Sequence, residues 1–340
     1  MKKIIMQPSG KVIECPSGET VLSVLEKQGY ALPNNCRAGA CGECKIKVLS
    51  GEFDQGFIMD MALSKADRAD GYGLMCMAKP TSDVLEIEFG TQDAQPKLFP
   101  PVENSWHIVT DKITRTDKIL ELKLAPLGKP IRFWPGQYAM IGEGSQEHPL
   151  RPYSIANAPK ENGELSFLIT KEPNGKTSPW IHNEISVGDN IKVNAPYGTF
   201  LGDPSVNTPI LCLASGSGLA PILSLLNAYL SRGNKNHVTL LFSAKTKKDL
   251  IHFGEIKYLE SKYVNFKYKY TLTQESNPEG GLEGRIDTVL PNILSNLGNY
   301  SIYIAGGVSF VDSCKQSVES LGADKELIHM EEYFAQQVTQ

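Results

Sequence analysis

No apolar run in the 340-residue sequence approaches the roughly 20 residues that a membrane-spanning helix needs. No excess of positive charge is present either. Thirty-four lysines and arginines stand against 38 aspartates and glutamates, a net −4, which offers no electrostatic footprint for nucleic acid or an anionic lipid surface. Histidine is scarce: there are six, and His107, His148, His182 and the others do not pair at metal-site spacings. Behind Met1-Lys2-Lys3 only a short apolar triplet precedes Gln7-Pro8, too little for the core of a secretory signal. Seven cysteines in so long a chain do not make a secreted disulfide scaffold. A cytoplasmic protein is therefore expected, with no nucleic acid and no membrane among its partners. The length and the 41% hydrophobic content suffice for two or three packed domains.

The cysteines that are present are concentrated. Cys36, Cys41 and Cys44 lie in the run Cys36-Arg37-Ala38-Gly39-Ala40-Cys41-Gly42-Glu43-Cys44, and Cys76 follows downstream. Cys-x4-Cys-x2-Cys with a distant fourth thiol is the plant-type spacing for a [2Fe–2S] cluster, since two bridged irons need four thiolates converging from two sides. Gly39, Ala40 and Gly42 let the backbone curl and aim N–H groups at sulfur. A single zinc fits less well, because its sites usually repeat a Cys-x2-4-Cys pair. Cys15, Cys212 and Cys314 remain, and Cys212 in Ile210-Leu211-Cys212-Leu213 reads as a buried core thiol.

Periodicity divides the chain. Residues 1–90 show strands at Lys3–Met6, Lys11–Glu14, Lys45–Leu49 and Val84–Phe89, with a helix capped by Thr20 and ended by Gly29. Residues 91–102 hold three prolines and read as a semi-rigid linker. Residues 103–204 carry short strands such as Ile119–Leu124, Tyr138–Ile141 and Leu165–Thr170, punctuated by Gly136, Gly163 and Gly188. That rhythm predicts an antiparallel β-barrel. In residues 205–340, apolar runs at 210–214, 238–243, 264–272 and 300–305 alternate with helical stretches, the pattern of a doubly wound parallel sheet. Lys262-Tyr263, Lys267-Tyr268 and Lys269-Tyr270 interleave cations and aromatics but alternate as a strand does.

Three further motifs carry chemistry. Arg151-Pro152-Tyr153-Ser154 offers a cation for phosphate, an aromatic face and a hydroxyl, although these residues alone also suit an edge strand with a surface arginine. Gly175-Lys176-Thr177-Ser178 precedes a short helix, where backbone N–H groups can hold a pyrophosphate. Gly216-Ser217-Gly218-Leu219-Ala220-Pro221 joins a strand to a helix, but the Rossmann fingerprint is incomplete and a merely tight turn stays equally open.

Residues 1–90 resemble a plant-type ferredoxin domain of β-grasp fold. Arg-x-Tyr-Ser, Gly-x-x-Ser, Pro196-Tyr197-Gly198-Thr199-Phe200 and Gly-x-Gly-x-Ala-Pro resemble the ferredoxin–NADP reductase superfamily. The resemblance implies Arg151 on the flavin phosphates, Tyr153 stacked on its ring, Ser154 at N5, and Gly175, Lys176, Thr177 and Ser178 on the pyrophosphate, with Ile169, Thr170 and Lys171 lining the cleft. It places Gly216, Ser217, Gly218, Ala220 and Pro221 at a nicotinamide nucleotide. Ala305-Gly306 stands where relatives carry Cys-Gly, so no thiol is expected at the hydride step. Glu332-Tyr333-Phe334 matches a Glu-x-Phe ending, which makes Glu332 and Phe334 candidates beside the flavin with Tyr153 and Ser154. Ser243 and Lys245 lie where a 2′-phosphate would be read.

The whole chain resembles the reductase components of multicomponent bacterial oxygenases. CDP-6-deoxy-glucoseen reductase-type proteins of deoxysugar synthesis share the domain order. The resemblance implies FAD, NADH (NADPH as the alternative) and a [2Fe–2S] cluster, in a monomer that hands electrons to an oxygenase or another electron-accepting protein. A surface around Arg37, Glu43 and Met77 is the expected docking region. A stand-alone diaphorase and a cluster-bearing redox sensor are the competing readings.

Overall fold

The computed structural model describes residues 1–34, 36–92, 94–202, 207–276 and 280–334. They separate into two compact units. One comprises Met1–Pro101 with the short Pro196–Thr199 segment, and the rest of the described chain forms the other.

In the first unit, β1 (Lys2–Gln7) and β2 (Lys11–Cys15) form an antiparallel hairpin about Pro8-Ser9-Gly10. The helix α1 (Val21–Lys27) begins at Thr20, whose hydroxyl accepts the Ser23 N–H at 3.2 Å, satisfying one of the orphan donors of the first turn. The chain continues through β3 (Lys45–Ser50), β4 (Phe53–Asp54), α2 (Lys65–Ala69), β5 (Tyr72–Leu74), β6 (Lys79–Pro80) and β7 (Val84–Glu88). The main sheet runs in the order β2-β1-β7-β3-β5, with β7 parallel to β1 and antiparallel to β3, while β4 pairs with β6. Alternation decides the faces: Ile4 and Met6 of β1 and Leu85 and Ile87 of β7 turn inward, where Val21, Leu22, Val24 and Leu25 of α1 meet them. Each such burial contributes about 1.5–3 kcal/mol. The proline-rich segment is anchored, since the Lys97 and Leu98 N–H groups both donate to the Gly29 carbonyl.

The second unit opens with an antiparallel barrel of β8 (Val102–Thr114), β9 (Ile119–Pro126), β10 (Tyr138–Gly142), β11 (Arg151–Ser154), β12 (Leu165–Thr170) and β13 (Asn190–Tyr197), with α3 (Thr177–Asn183) between the last two. The strand order is β11-β10-β13-β8-β9-β12, and a bridge between Ile155 and Phe167 brings its two ends together. A parallel sheet follows, of β14 (Ile210–Ser215), β15 (Val238–Ala244), β16 (Phe266–Leu272), β17 (Leu282–Glu283), β18 (Ser301–Gly307) and β19 (Ile328–Tyr333). It is interleaved with α4 (Leu219–Ser231), α5 (Phe253–Lys262), α6 (Ile286–Ile293) and α7 (Val308–Ser320). Its order, β17-β16-β15-β14-β18-β19, reverses direction between β14 and β18. Ligands of open α/β sheets bind at such a switch point, beyond the carboxyl ends of the strands. In β16, Lys267 and Lys269 point outward while Tyr268 is buried, which is ordinary strand alternation.

An ionic cluster ties barrel to sheet. The Glu121 carboxylate on β9 receives Arg115 Nε at 2.7 Å and the Ser166 hydroxyl at 3.0 Å, with His252 Nε2 at 3.4 Å. His252, at the head of α5, also meets Glu255 at 2.7 Å through Nδ1. Burial pushes the Glu121 carboxyl up, but His252 and Arg115 more than offset this and hold it at about 2.

Candidate active site and metal centre

The cysteine loop follows Pro33 and turns through Arg37, Gly39 and Gly42, all at positive φ. A methyl group at Gly42 would fall 2.8 Å from the Ala62 carbonyl oxygen, so only glycine serves there. The curl aims backbone at sulfur: Cys36 Sγ accepts N–H groups from Ala38 at 3.4 Å and from Ala40 and Cys41 at 3.3 Å. The Cys76 N–H reaches Cys44 Sγ at 3.4 Å.

The thiols fall into two hydrogen-bonded pairs, Cys36 with Cys41 and Cys44 with Cys76. The Cys41 thiol and the converging N–H groups bring the Cys36 thiol down to about 5, and the Cys76 thiol lowers that of Cys44. Among the described residues, no three His, Cys, Asp or Glu side chains gather as a mononuclear metal site would require. Two pairs of thiols lined by N–H donors fit a binuclear cluster, for which the protein would supply four thiolates in all. Cys36, Cys44 and Cys76 are buried and Cys41 is half-buried.

In the second unit, β11 presents Arg151, Tyr153 and Ser154 at the barrel's edge beside β10, with Ser154 opposite Tyr138. Tyr153 packs with Trp180 against the barrel core, and burial pushes its phenol well above the ordinary range. Ile169 and Thr170 end β12, and Lys171 reaches Asn183 at 2.9 Å. Lys176 bonds the Gln146 carbonyl at 3.1 Å, Thr177 donates to the Pro149 carbonyl at 2.5 Å, and the Ser178 hydroxyl accepts the Glu172 N–H at 3.0 Å. These contacts fasten the Gly175–Ser178 loop to its own surroundings. The backbone N–H groups at the head of α3 and the Arg151 guanidinium are what it can offer a phosphate.

The nucleotide loop lies at the switch point. Gly216, Ser217 and Gly218 make a single 3₁₀ turn between β14 and α4, and Ala220 and Pro221 are buried in the first turn of the helix. A methyl group at Gly218 would come within 2.2 Å of the Ala305 carbonyl oxygen. Ala305 and Gly306 lie in the last three residues of β18, with the Ala305 side chain fully buried. Ser243, the last residue but one of β15, is in register with Ser215, and Lys245 is exposed just beyond the strand. The neighbouring Thr246 hydroxyl donates to Asp249 at 2.8 Å.

Two contacts join these parts. Thr170 Oγ1 and Ser217 Oγ lie 2.8 Å apart, linking β12 to the nucleotide loop. The Ser154 hydroxyl donates to Glu331 and stands 3.0 Å from the Tyr333 hydroxyl. The residues that meet Ser154 are thus Glu331 and Tyr333. Alternate side chains of an extended strand share a face, so within β19 Glu331 and Tyr333 turn the same way and Glu332 the other.

Glu331 is 6% exposed, and burial raises its carboxyl from 4.5 to about 7 against the pull of Ser154 and Tyr333. An acid whose pKa is higher folded than unfolded binds its proton more tightly in the folded chain. Stability therefore falls as pH rises from about 4.5 to about 7 and then levels off. Glu331→Gln, which keeps an acceptor for Ser154, is expected to gain about 2 kcal/mol relative to wild type between pH 5 and pH 8. Urea unfolding at the two pH values checks this.

Comparison with known proteins agrees with this anatomy. Residues 4–81 match a 2Fe-2S iron-sulfur cluster binding domain, 108–201 an oxidoreductase FAD-binding domain, and 212–316 an oxidoreductase NAD-binding domain. The chain is 31% identical over 334 residues to the xylene/toluene monooxygenase electron transfer component of Pseudomonas putida, covering 97% of this chain and 93% of the relative. It is 30% identical to the propane 2-monooxygenase reductase component of Rhodococcus jostii, with 97% and 91% covered. The crystal structure of an Amycolatopsis cytochrome P450 reductase superposes with a TM-score of 0.88 at 25% identity over 98% of both chains. The chain therefore belongs to the iron–sulfur flavoprotein reductases, which join a [2Fe–2S] domain to FAD- and NAD-binding oxidoreductase domains in one polypeptide.

Proposed function

We propose that this protein draws reducing equivalents from NADH and delivers them singly to a separate oxygenase component. Residues 1–90, 103–204 and 205–340 serve in this reading as cluster, flavin and nucleotide parts, with 91–102 between the first two. A nicotinamide gives up two electrons as hydride, a flavin accepts them as a pair and releases them one by one, and a [2Fe–2S] cluster carries one at a time.

The observation that carries the reading is the 2.8 Å contact of Thr170 with Ser217, which seats the barrel's cleft against the nucleotide loop. Arg151 and the N–H groups of residues 175–178 would hold the flavin phosphates, and Tyr153 would cover its ring. Ser154, oriented by Glu331 and Tyr333, would present its hydroxyl at the reacting edge. Gly216–Pro221 would bring the nucleotide's pyrophosphate onto the head of α4. The chain's contribution is placement and exclusion of water rather than proton transfer. Cys36, Cys41, Cys44 and Cys76 would hold the cluster.

The family resemblance favours NADH over NADPH, and Ser243 with the exposed Lys245 is the place where a 2′-phosphate would be read if NADPH were used. Relatives named as parts of xylene/toluene, phenol and propane monooxygenases support an oxygenase over a deoxysugar dehydrase as acceptor. Among the described residues no helix is long and apolar enough to cross a membrane.

Anaerobic titration with NADH tests the reading. The visible bands of flavin and cluster are expected to bleach together within turnover time. Bleaching by dithionite alone would overturn it.

A further inference from the structure

Phe57, Met59 and Met61 are 73%, 41% and 85% exposed on a single loop of the first unit. Large apolar side chains so displayed in sequence are uncommon on a soluble surface and mark interaction sites. The loop has a definite neighbour. Its Met59 N–H donates to the Gly39 carbonyl at 3.0 Å. A methyl group at Gly39 would touch Ile58 Cγ2 at 2.8 Å and Met77 Cγ at 3.1 Å. Ala62, at the loop's end, closes on Gly42. The three exposed side chains therefore stand one residue layer from the cysteine loop, on the side carrying Cys41, the most accessible of its thiols. Arg37, by contrast, is committed to Glu26 through bonds of 2.7 and 2.8 Å, and Met77 is half-buried.

Charge indicates the kind of partner. Between Glu52 and Asp70 there are five carboxylates and two cations, so this short segment carries most of the net charge of a chain whose total is −4. Asp54, ahead of the apolar side chains, and Asp60, between Met59 and Met61, are exposed, and Asp60 lies 3.3 Å from Arg68. An apolar centre inside an acidic rim suits a surface of the opposite sign, with the rim steering encounter and register. Methionines adapt to an imperfect fit, as a brief electron-transfer contact requires.

We infer that Phe57, Met59 and Met61 form the electron exit, docking a protein acceptor whose redox centre lies under an apolar spot ringed by lysine and arginine. This rests on the reductase reading and adds the surface used and the character of the acceptor. Mitochondrial cytochrome c, a basic haem protein with an exposed haem edge, serves as the probe with holoenzyme. In Phe57→Ser/Met59→Gln/Met61→Gln, kcat/KM for cytochrome c is expected to fall about 10-fold, mainly through KM. Asp60→Lys is expected to lower it about 3-fold and to flatten its salt dependence. Bleaching of the cluster by NADH stays at the wild-type rate in both variants. An unchanged cytochrome c rate in the triple variant with normal bleaching would overturn the exit surface and leave the reductase reading standing. Failure of the unsubstituted enzyme to bleach with NADH would overturn both.

Discussion

Cys76→Ser is expected to reduce delivery of electrons to any protein acceptor on the order of 100-fold while leaving NADH-driven reduction of small dyes largely intact. Cys76 pairs with Cys44 across the end of the cysteine loop, so its loss would remove one of the four thiolates that would hold the cluster. The segment that carries it would hold its place. Met75 accepts the Leu22 N–H and Ala78 the Val21 N–H, each at 2.9 Å through the carbonyl oxygen, and both bonds are indifferent to the side chain at position 76. The first unit should remain folded with cluster iron diminished. Iron per flavin, the visible spectrum and the ratio of cytochrome c to dye reduction check the outcome. Equal loss of both activities would mean that electrons do not divide at the flavin.

Gly218→Val is expected to cut NADH turnover by a comparable factor from the opposite end of the electron path, on the order of 100-fold and chiefly through KM. The added Cβ would lie 2.2 Å from the Ala305 oxygen and 2.5 Å from the Ala305 carbonyl carbon. Both are backbone atoms of β18, and no rotamer change relieves the overlap. The loop would be forced off the switch point, at a stability cost of about 1–3 kcal/mol. Gly216→Ala provides the contrast. Its φ of +54 strains a larger residue, but the nearest atom to the added carbon, Ile119 Cδ1, is 4.0 Å away. The loss there should be about 1 kcal/mol of backbone strain without the collapse of nucleotide binding. Flavin content and dithionite reduction should be unaffected in both variants, and isothermal binding of NAD⁺ measures the difference.

Much of the architecture was legible because its signals are local. Thr20 caps the helix it was expected to cap, and the apolar runs became β14, β15, β16 and β18 within a residue or two. The cysteine spacing carried the cluster, since ligands for two irons must come from one tight loop and one distant point. What was harder to read depends on alignment between distant strands. Glu331 and Tyr333 were missed because a pattern of glutamate, any residue and aromatic fits equally well one position later, and only the pleat of β19 decides which pair turns toward Ser154. Glu121 and His252 gave no sign at all. A carboxylate on a barrel strand and a histidine before a helix look like surface residues until the fold brings them to 3.4 Å. The Gly175–Ser178 loop was read as a pyrophosphate site through its backbone N–H groups and Ser178; the fold adds what the sequence does not show, that the Thr177 hydroxyl donates to the Pro149 carbonyl and the Ser178 hydroxyl accepts the Glu172 N–H. The exposure of Phe57, Met59 and Met61 likewise follows from the cysteine loop already filling the other side of their segment.

The three sulfurs outside the cluster loop have a bearing on where the protein's thiols react. Cys15, Cys212 and Cys314 are all buried, and desolvation raises each thiol, that of Cys314 to about 12. Held in the protonated form and out of reach, they neither capture incoming metal nor oxidise readily. Thiol chemistry at neutral pH is thereby concentrated on the cysteine loop, where the neighbouring thiols and the converging N–H groups lower Cys36 and Cys44.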